Sequence, residues 1–103
     1  MELQDKIKKE ISDNSVMLYM KGTKEMPMCG FSATVVKILD NHNISYKAVN
    51  VLEDPNIRIE LSSLSNWPTI PQLFVNGELV GGCDVALDLH KSGELKNILD
   101  KVI

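Results

Sequence analysis

One cysteine stands at the head of a helical pattern. Cys29 follows an aperiodic stretch from Lys21 to Met28 that holds Gly22, Thr23 and Pro27, and it precedes Phe31, Val35, Ile38 and Leu39 at helical spacing. A sulfur so placed meets free backbone N–H groups and the positive end of a helix dipole, and both favour the thiolate. Such surroundings bring a cysteine pKa from ~8.5 down to roughly 3.5–7.5. The thiolate is the form that attacks disulfides and binds metals. The same residue also reads as an inert buried cysteine, because free cysteine packs as a small hydrophobe. Ser32 occupies the place of the second thiol of a C-x-x-C pair, and a hydroxyl forms no disulfide. Thiol exchange at Cys29 therefore needs an outside thiol, or Cys83 after a rearrangement. Ser32 reads equally well as an ordinary first-turn residue.

Two further blocks carry chemical potential. Trp67-Pro68-Thr69-Ile70-Pro71 precedes a strand pattern, and Pro71 cannot donate to a ladder. A cis Ile70–Pro71 bond suits such a bend, whereas trans is the default for the dipeptide. Gly81-Gly82-Cys83-Asp84 opens a helix, with Asp84 read either as its N-cap or as a carboxylate for a ligand that the glycines let approach closely. His42, near a helix end, and His90, on an amphipathic helix, read as surface or structural residues; iron ligation together with a partner is the alternative. Met1, Met17, Met20, Met26 and Met28 form no ligand set.

The elements that must position these residues follow from periodicity. Leu3, Ile7 and Ile11 recur among charged residues as an amphipathic helix that ends at Asn14-Ser15, and Val16–Met20 is an unbroken apolar run suited to a strand buried on both faces. Tyr46 to Val51 reads as a second strand, and Asp54-Pro55 supplies an N-cap and first-turn proline for a helix through Ile57, Leu61 and Leu64. Leu73–Val75, Asn76-Gly77 and Glu78–Val80 predict a hairpin with a type I′ turn. Helical spacing returns through Val85, Leu87 and Leu89, stops at Ser92-Gly93, and resumes through Leu95, Ile98, Leu99 and Val102. A parallel β-α-β unit followed by β-β-α gives an α/β chain with a four-stranded mixed sheet flanked by helices and preceded by an N-terminal helix. That order is compatible with a thioredoxin-like fold.

Composition bounds the remaining choices. The 103 residues, 44% of them apolar, suit one domain spanning residues 1–103. With 11 basic against 14 acidic residues and no basic stripe, nucleic acid is not expected as a partner. No apolar run approaches the ~20 residues of a bilayer-crossing helix, so no membrane partner is expected either. The N-terminal segment mixes Glu2, Asp5 and Glu10 with three lysines, unlike a secretory or transit peptide, and a cytoplasmic protein is expected, an organellar matrix protein after removal of a transit peptide being the alternative. Cys29 and Cys83, the only two cysteines, have neither zinc-site spacing nor disulfide-framework density.

Taken in order, Lys21-Gly22-Thr23, Pro27, Cys29-Gly30-Phe31-Ser32, Trp67-Pro68-Thr69-Ile70-Pro71-Gln72 and Gly81-Gly82-Cys83-Asp84 resemble the CGFS-type monothiol glutaredoxins of the short, single-domain kind, along the whole chain. The resemblance implies a reactive Cys29 beside a glutathione groove and favours a cis Pro71. It implies that Lys21 and Arg58 answer the glycine carboxylate of glutathione, that the backbone at Ile70, next to Pro71, pairs with the tripeptide in strand fashion, and that Cys83 and Asp84 receive its γ-glutamyl end. Thr23 and Gln72 are expected to line the groove. A [2Fe-2S] centre usually takes four thiolates. Cys29 from each of two chains plus two glutathione thiolates make four, so the resemblance implies a cluster-bridged homodimer that hands its cluster on, with BolA-like proteins and iron-sulfur recipient proteins as partners.

Two rival functions share the same residues. In one, Cys29 attacks a glutathionylated protein and a second glutathione resolves the mixed disulfide. In the other, a Cys29–Cys83 disulfide senses redox state.

Overall fold

One strand feeds two cores. In the computed structural model, which describes residues 2–102, β1 (Val16–Met20) is buried along its whole length. Because side chains alternate across a strand, Val16, Leu18 and Met20 enter one hydrophobic cluster and Met17 and Tyr19 the other. The unbroken apolar run in the sequence is this two-sided burial. Each of the five is no more than 2% exposed, so a truncation such as Leu18→Ala would cost about 2–5 kcal/mol through lost contact and a residual cavity.

The first cluster is closed by α2 (Gly30–Asn41), α4 (Cys83–Ser92) and α5 (Glu94–Asp100). The second is closed by α1 (Leu3–Asp13) and α3 (Pro55–Ser65), which bring Ile7 and Leu61 onto Met17, Tyr19 and Phe74. Between them lies a four-stranded sheet in the order β2-β1-β3-β4. β1 pairs in parallel with β2 (Lys47–Asn50) and antiparallel with β3 (Gln72–Val75), and β3 forms a hairpin with β4 (Glu78–Gly81). This is the thioredoxin-like arrangement expected. Asn76 and Gly77 both take positive φ, 53° and 81°, as a type I′ turn requires. Met1, included in the methionine reading, and Ile103 lie outside the described residues.

Three boundaries differ from expectation, the last helix among them, since α5 ends at Asp100, short of Val102. The second strand is shorter than Tyr46–Val51, because Val51–Glu53 winds into a 3-10 turn whose Leu52 N–H is accepted by Asn50 Oδ1 at 3.0 Å. Asp84 is not the N-cap of its helix. Gly82 is, its carbonyl accepting the Ala86 N–H at 3.0 Å, and Asp84 sits in the first turn. The reading of Asp54 and Pro55 holds: the Asp54 carboxylate accepts the Asn56 N–H at 2.9 Å and Pro55 occupies the first turn.

Candidate functional site

Cys29 is the N-cap residue of α2. Its backbone is extended, with φ −152° and ψ 135°, and its carbonyl accepts the Ala33 N–H at 2.9 Å, which leaves the side chain beside the unpaired N–H groups of the first turn. The Ser32 N–H does most to lower the thiol pKa below its ordinary value; the Phe31 N–H, the Lys21 charge and the Ser32 hydroxyl act the same way and burial opposes them. Ser32 is fully buried, and its Oγ accepts the Lys21 N–H at 3.1 Å. Ser32 is therefore more than a first-turn residue, since it fastens the end of β1 to the start of α2 directly under the cysteine.

Lys21 and Arg58 come together although far apart in sequence. With Val51, Leu52, Pro55 and Ile59 they line a hollow of about 380 Å³. Neither forms an ion pair among the described residues. Arg58 Nη2 donates only a long 3.4 Å hydrogen bond to the Pro68 carbonyl, so both cations are available to an anion. Asn50 ties the residue after Lys21 to the turn at Leu52, its Oδ1 accepting from Gly22 N at 2.9 Å and from Leu52 N at 3.0 Å. Gly22 is required where it stands. Its φ is +91°, and a Cβ there would lie 2.5 Å from Met28 N.

A second hollow, about 240 Å³, is lined by Phe31, Trp67, Thr69, Ile70, Pro71, Gly82, Cys83, Asp84 and Val85. The Ile70–Pro71 bond is cis. Gly82 lets this wall close up, since a Cβ there would lie 3.2 Å from the Pro71 carbonyl and 3.4 Å from Trp67 Nε1. Burial raises the Cys83 thiol above its ordinary value, helped by the Asp84 carboxylate and by Cys29, while a hydrogen bond with Thr34 opposes them. Both thiols are free. Cys29 joins the two hollows electrostatically: it feels Lys21 on one side and acts on Cys83 on the other.

The family model for glutaredoxin matches residues 16–80. The chain is 53% identical over 93 residues to the probable monothiol glutaredoxin 2 of Rickettsia conorii, covering 90% of this chain and 87% of that one. To glutaredoxin 4 of Haemophilus influenzae it is 48% identical over 102 residues, 99% of this chain and 95% of the other. The chain belongs to the monothiol glutaredoxins. The reduced apo GrxS14 of poplar superposes on it with a TM-score of 0.85 at 45% identity, covering 97% of this chain and 92% of that one.

In this glutaredoxin the structure gathers most of the expected site and redirects two members of it. Gln72 does not line the groove. It is fully buried, its Nε2 donating to the Trp67 and Thr69 carbonyls at 2.9 and 3.2 Å and its Oε1 accepting from Ser65 Oγ at 2.8 Å. The first side chain of β3 points inward, where it satisfies two carbonyls of the preceding loop and the hydroxyl that ends α3. Thr23 lines neither hollow. Its Oγ1 accepts the Met26 N–H at 3.0 Å inside the turn that Gly22 and Pro27 close by a β-bridge. Conversely, Trp67 belongs to the groove though it was read only as part of a motif. Its indole N–H is buried without a hydrogen-bond partner, a donor that a groove ligand could use. Asn50 went unread as well, because it fell inside the expected Tyr46–Val51 strand and its bond to Gly22 spans 28 positions. No group of three or more His, Cys, Asp or Glu able to hold a metal occurs among the described residues.

Proposed function

We propose that this glutaredoxin binds glutathione across the two hollows flanking Cys29, and that two copies so loaded hold a [2Fe-2S] cluster as cargo and pass it to recipient proteins. The observation that carries this reading is the single activated thiol. Cys29 sits at a helix N-terminus with its pKa lowered, while the position that would hold a resolving thiol is a buried serine already bonded to Lys21. One thiolate per chain is too few for a cluster. Two chains and two glutathione thiolates reach the usual four.

The surroundings suit the two ends of glutathione. Lys21 and Arg58 offer charge-assisted hydrogen bonds to a carboxylate of the tripeptide. The Ile70–Pro71 segment, Cys83 and Asp84 line the other hollow, where the Asp84 carboxylate would meet the γ-glutamyl ammonium. Gly30 adds no bulk beside the sulfur: a Cβ there would meet nothing within 4 Å, so no contact inside the chain asks for glycine. Phe31 and Met28, 61% and 63% exposed, flank Cys29 with apolar surface that a second copy or a BolA-like partner would cover. Such a protein belongs where thiols stay reduced, in the cytoplasm or an organellar matrix.

A second reading rests on the same lowered pKa. The Cys29 thiolate attacks the glutathione sulfur of a protein–glutathione disulfide, forming a Cys29–glutathione disulfide and releasing the protein thiolate. A second glutathione thiolate then attacks that disulfide, freeing Cys29 and leaving as oxidised glutathione.

Anaerobic reconstitution with iron, sulfide and glutathione separates the two, followed by visible absorbance and by mass on size exclusion for wild type and Cys29→Ser. A coloured wild-type dimer that fails to form without glutathione or without Cys29 supports the carrier. A colourless monomer that still deglutathionylates a mixed disulfide overturns it in favour of the reductase.

A further inference from the structure

The chain has two histidines, 48 positions apart, and they touch. His42 is the C-cap of α2 and His90 lies in the last turn of α4, and these two helices pack against one another. His42 Nε2 and His90 Nδ1 are 3.1 Å apart, with 5.2 Å between ring centroids and 78° between ring planes. Both residues are half-buried, so the pair is supported by the fold yet reachable from water. Neither belongs to the hollows around Cys29.

We propose that His42 and His90 form a binding site for a divalent cation that prefers imidazole, Zn²⁺ or Cu²⁺, with His42 Nε2 and His90 Nδ1 as its protein ligands and water completing the coordination. Two nitrogens bound to one tetrahedral zinc at 2.0–2.1 Å lie about 3.3 Å apart. The pair needs to open by only a few tenths of an ångström to accept the ion. Helices fixed by a shared core bring the ligands to this spacing in advance, and only the ring rotations remain to be set.

Protons balance without loss. In the hydrogen-bonded pair one of the facing nitrogens carries a hydrogen. On cation binding that ring takes its other neutral tautomer, the proton moving through water to the far nitrogen, so that both facing lone pairs point at the ion. The surrounding charges are mixed. Asp100 of α5 favours positive charge at His42, whereas Lys96 of α5 opposes it and is itself paired with Asp100 at 2.9 Å. Burial, with His90, holds His42 below the usual imidazole range. With two protein ligands, and no three-ligand group among the described residues, the site suits an exchangeable ion and not a structural one.

The test is a Zn²⁺ titration of the full chain carrying Cys29→Ser and Cys83→Ser, so that neither thiol competes, with the ring nitrogen resonances of both histidines followed by NMR. Both rings should shift together and saturate at one ion per chain, and adding either His42→Gln or His90→Gln should weaken binding about tenfold or more. The same resonances, followed in the unsubstituted chain with alkylated thiols, report on the site whether or not the serine variant folds. Rings that stay unmoved, a response from only one histidine, or binding that survives both glutamine substitutions would each overturn the proposal and leave the pair a hydrogen bond between helices.

Discussion

Ser32 Oγ accepts the Lys21 N–H at 3.1 Å, and through this bond the residue that ends the C-G-F-S run holds the cation that begins the loop. The bond is partly shielded from water, its acceptor Ser32 being fully buried, so its loss has a definite cost. Ser32→Ala should destabilise the protein by about 1–3 kcal/mol, the penalty for a buried unpaired N–H. It should also move the Cys29 titration upward, since the hydroxyl contributes to lowering it. Chemical denaturation measures the first effect and ultraviolet thiolate absorbance against pH the second. A variant as stable as wild type with an unmoved titration would show that the hydroxyl does neither.

The two thiols should part company with pH. Backbone N–H groups and Lys21 favour the Cys29 thiolate, whereas burial and Asp84 disfavour that of Cys83. Alkylation by iodoacetamide should therefore reach half its limiting rate below the ordinary thiol range at Cys29 and above it at Cys83, which mass spectrometry of peptides can resolve. The linkage to stability follows the same signs. The Cys29 contribution is present above the unfolded-state pKa and fades as pH falls through the folded value; the Cys83 contribution is full below the unfolded-state pKa and fades as pH rises through the folded one.

Asn50 bonds Gly22 and Leu52 with one oxygen; Leu52 lines the hollow shared by Lys21 and Arg58, and Gly22 directly follows Lys21 in the chain. Asn50→Ala should cost about 1–3 kcal/mol for the Gly22 N–H left unpaired, and little for the Leu52 N–H, which water can reach. It should also weaken glutathione binding without touching Cys29. Asn50→Asp keeps the acceptor and should recover most of the stability. Calorimetric titration with glutathione beside thermal melts checks both; equal loss in the two variants would mean that the amide nitrogen, not Oδ1, matters.

How far the sequence carried the structure depends on the range of each contact. β1, the Asn76-Gly77 turn and the Asp54-Pro55 helix start are local devices, each complete within a few residues, and they were legible. Cys29 at the mouth of α2 was legible for the same reason. The position of Asp84 misled because Gly82, which has no capping side chain, supplies the cap through its backbone carbonyl. The contact of His42 with His90 joins α2 to α4 and exists only once the helices pack. Lys21 and Arg58 were placed together by resemblance to relatives, and nothing in their spacing required it.

Gln72 gives the sharpest case, because a polar residue beside a conspicuous motif reads as part of a binding surface and turns out to be buried support. Its amide bonds the carbonyls of Trp67 and Thr69 and the hydroxyl of Ser65, tying the end of α3 to the loop that presents Ile70 and Pro71. Gln72→Leu keeps similar bulk but offers no hydrogen bond. It leaves two carbonyls and a hydroxyl without their partner in a partly buried region, and should lower stability by about 1–3 kcal/mol. The groove wall should loosen with it, so glutathione affinity should fall even though no contact with the ligand is removed. Hydrogen exchange gives the decisive readout: the Trp67–Gln72 backbone should exchange faster in the variant than in wild type, while α1 should change no more than global stability requires. Uniform acceleration everywhere would assign Gln72 to the core alone, with no particular hold on the loop.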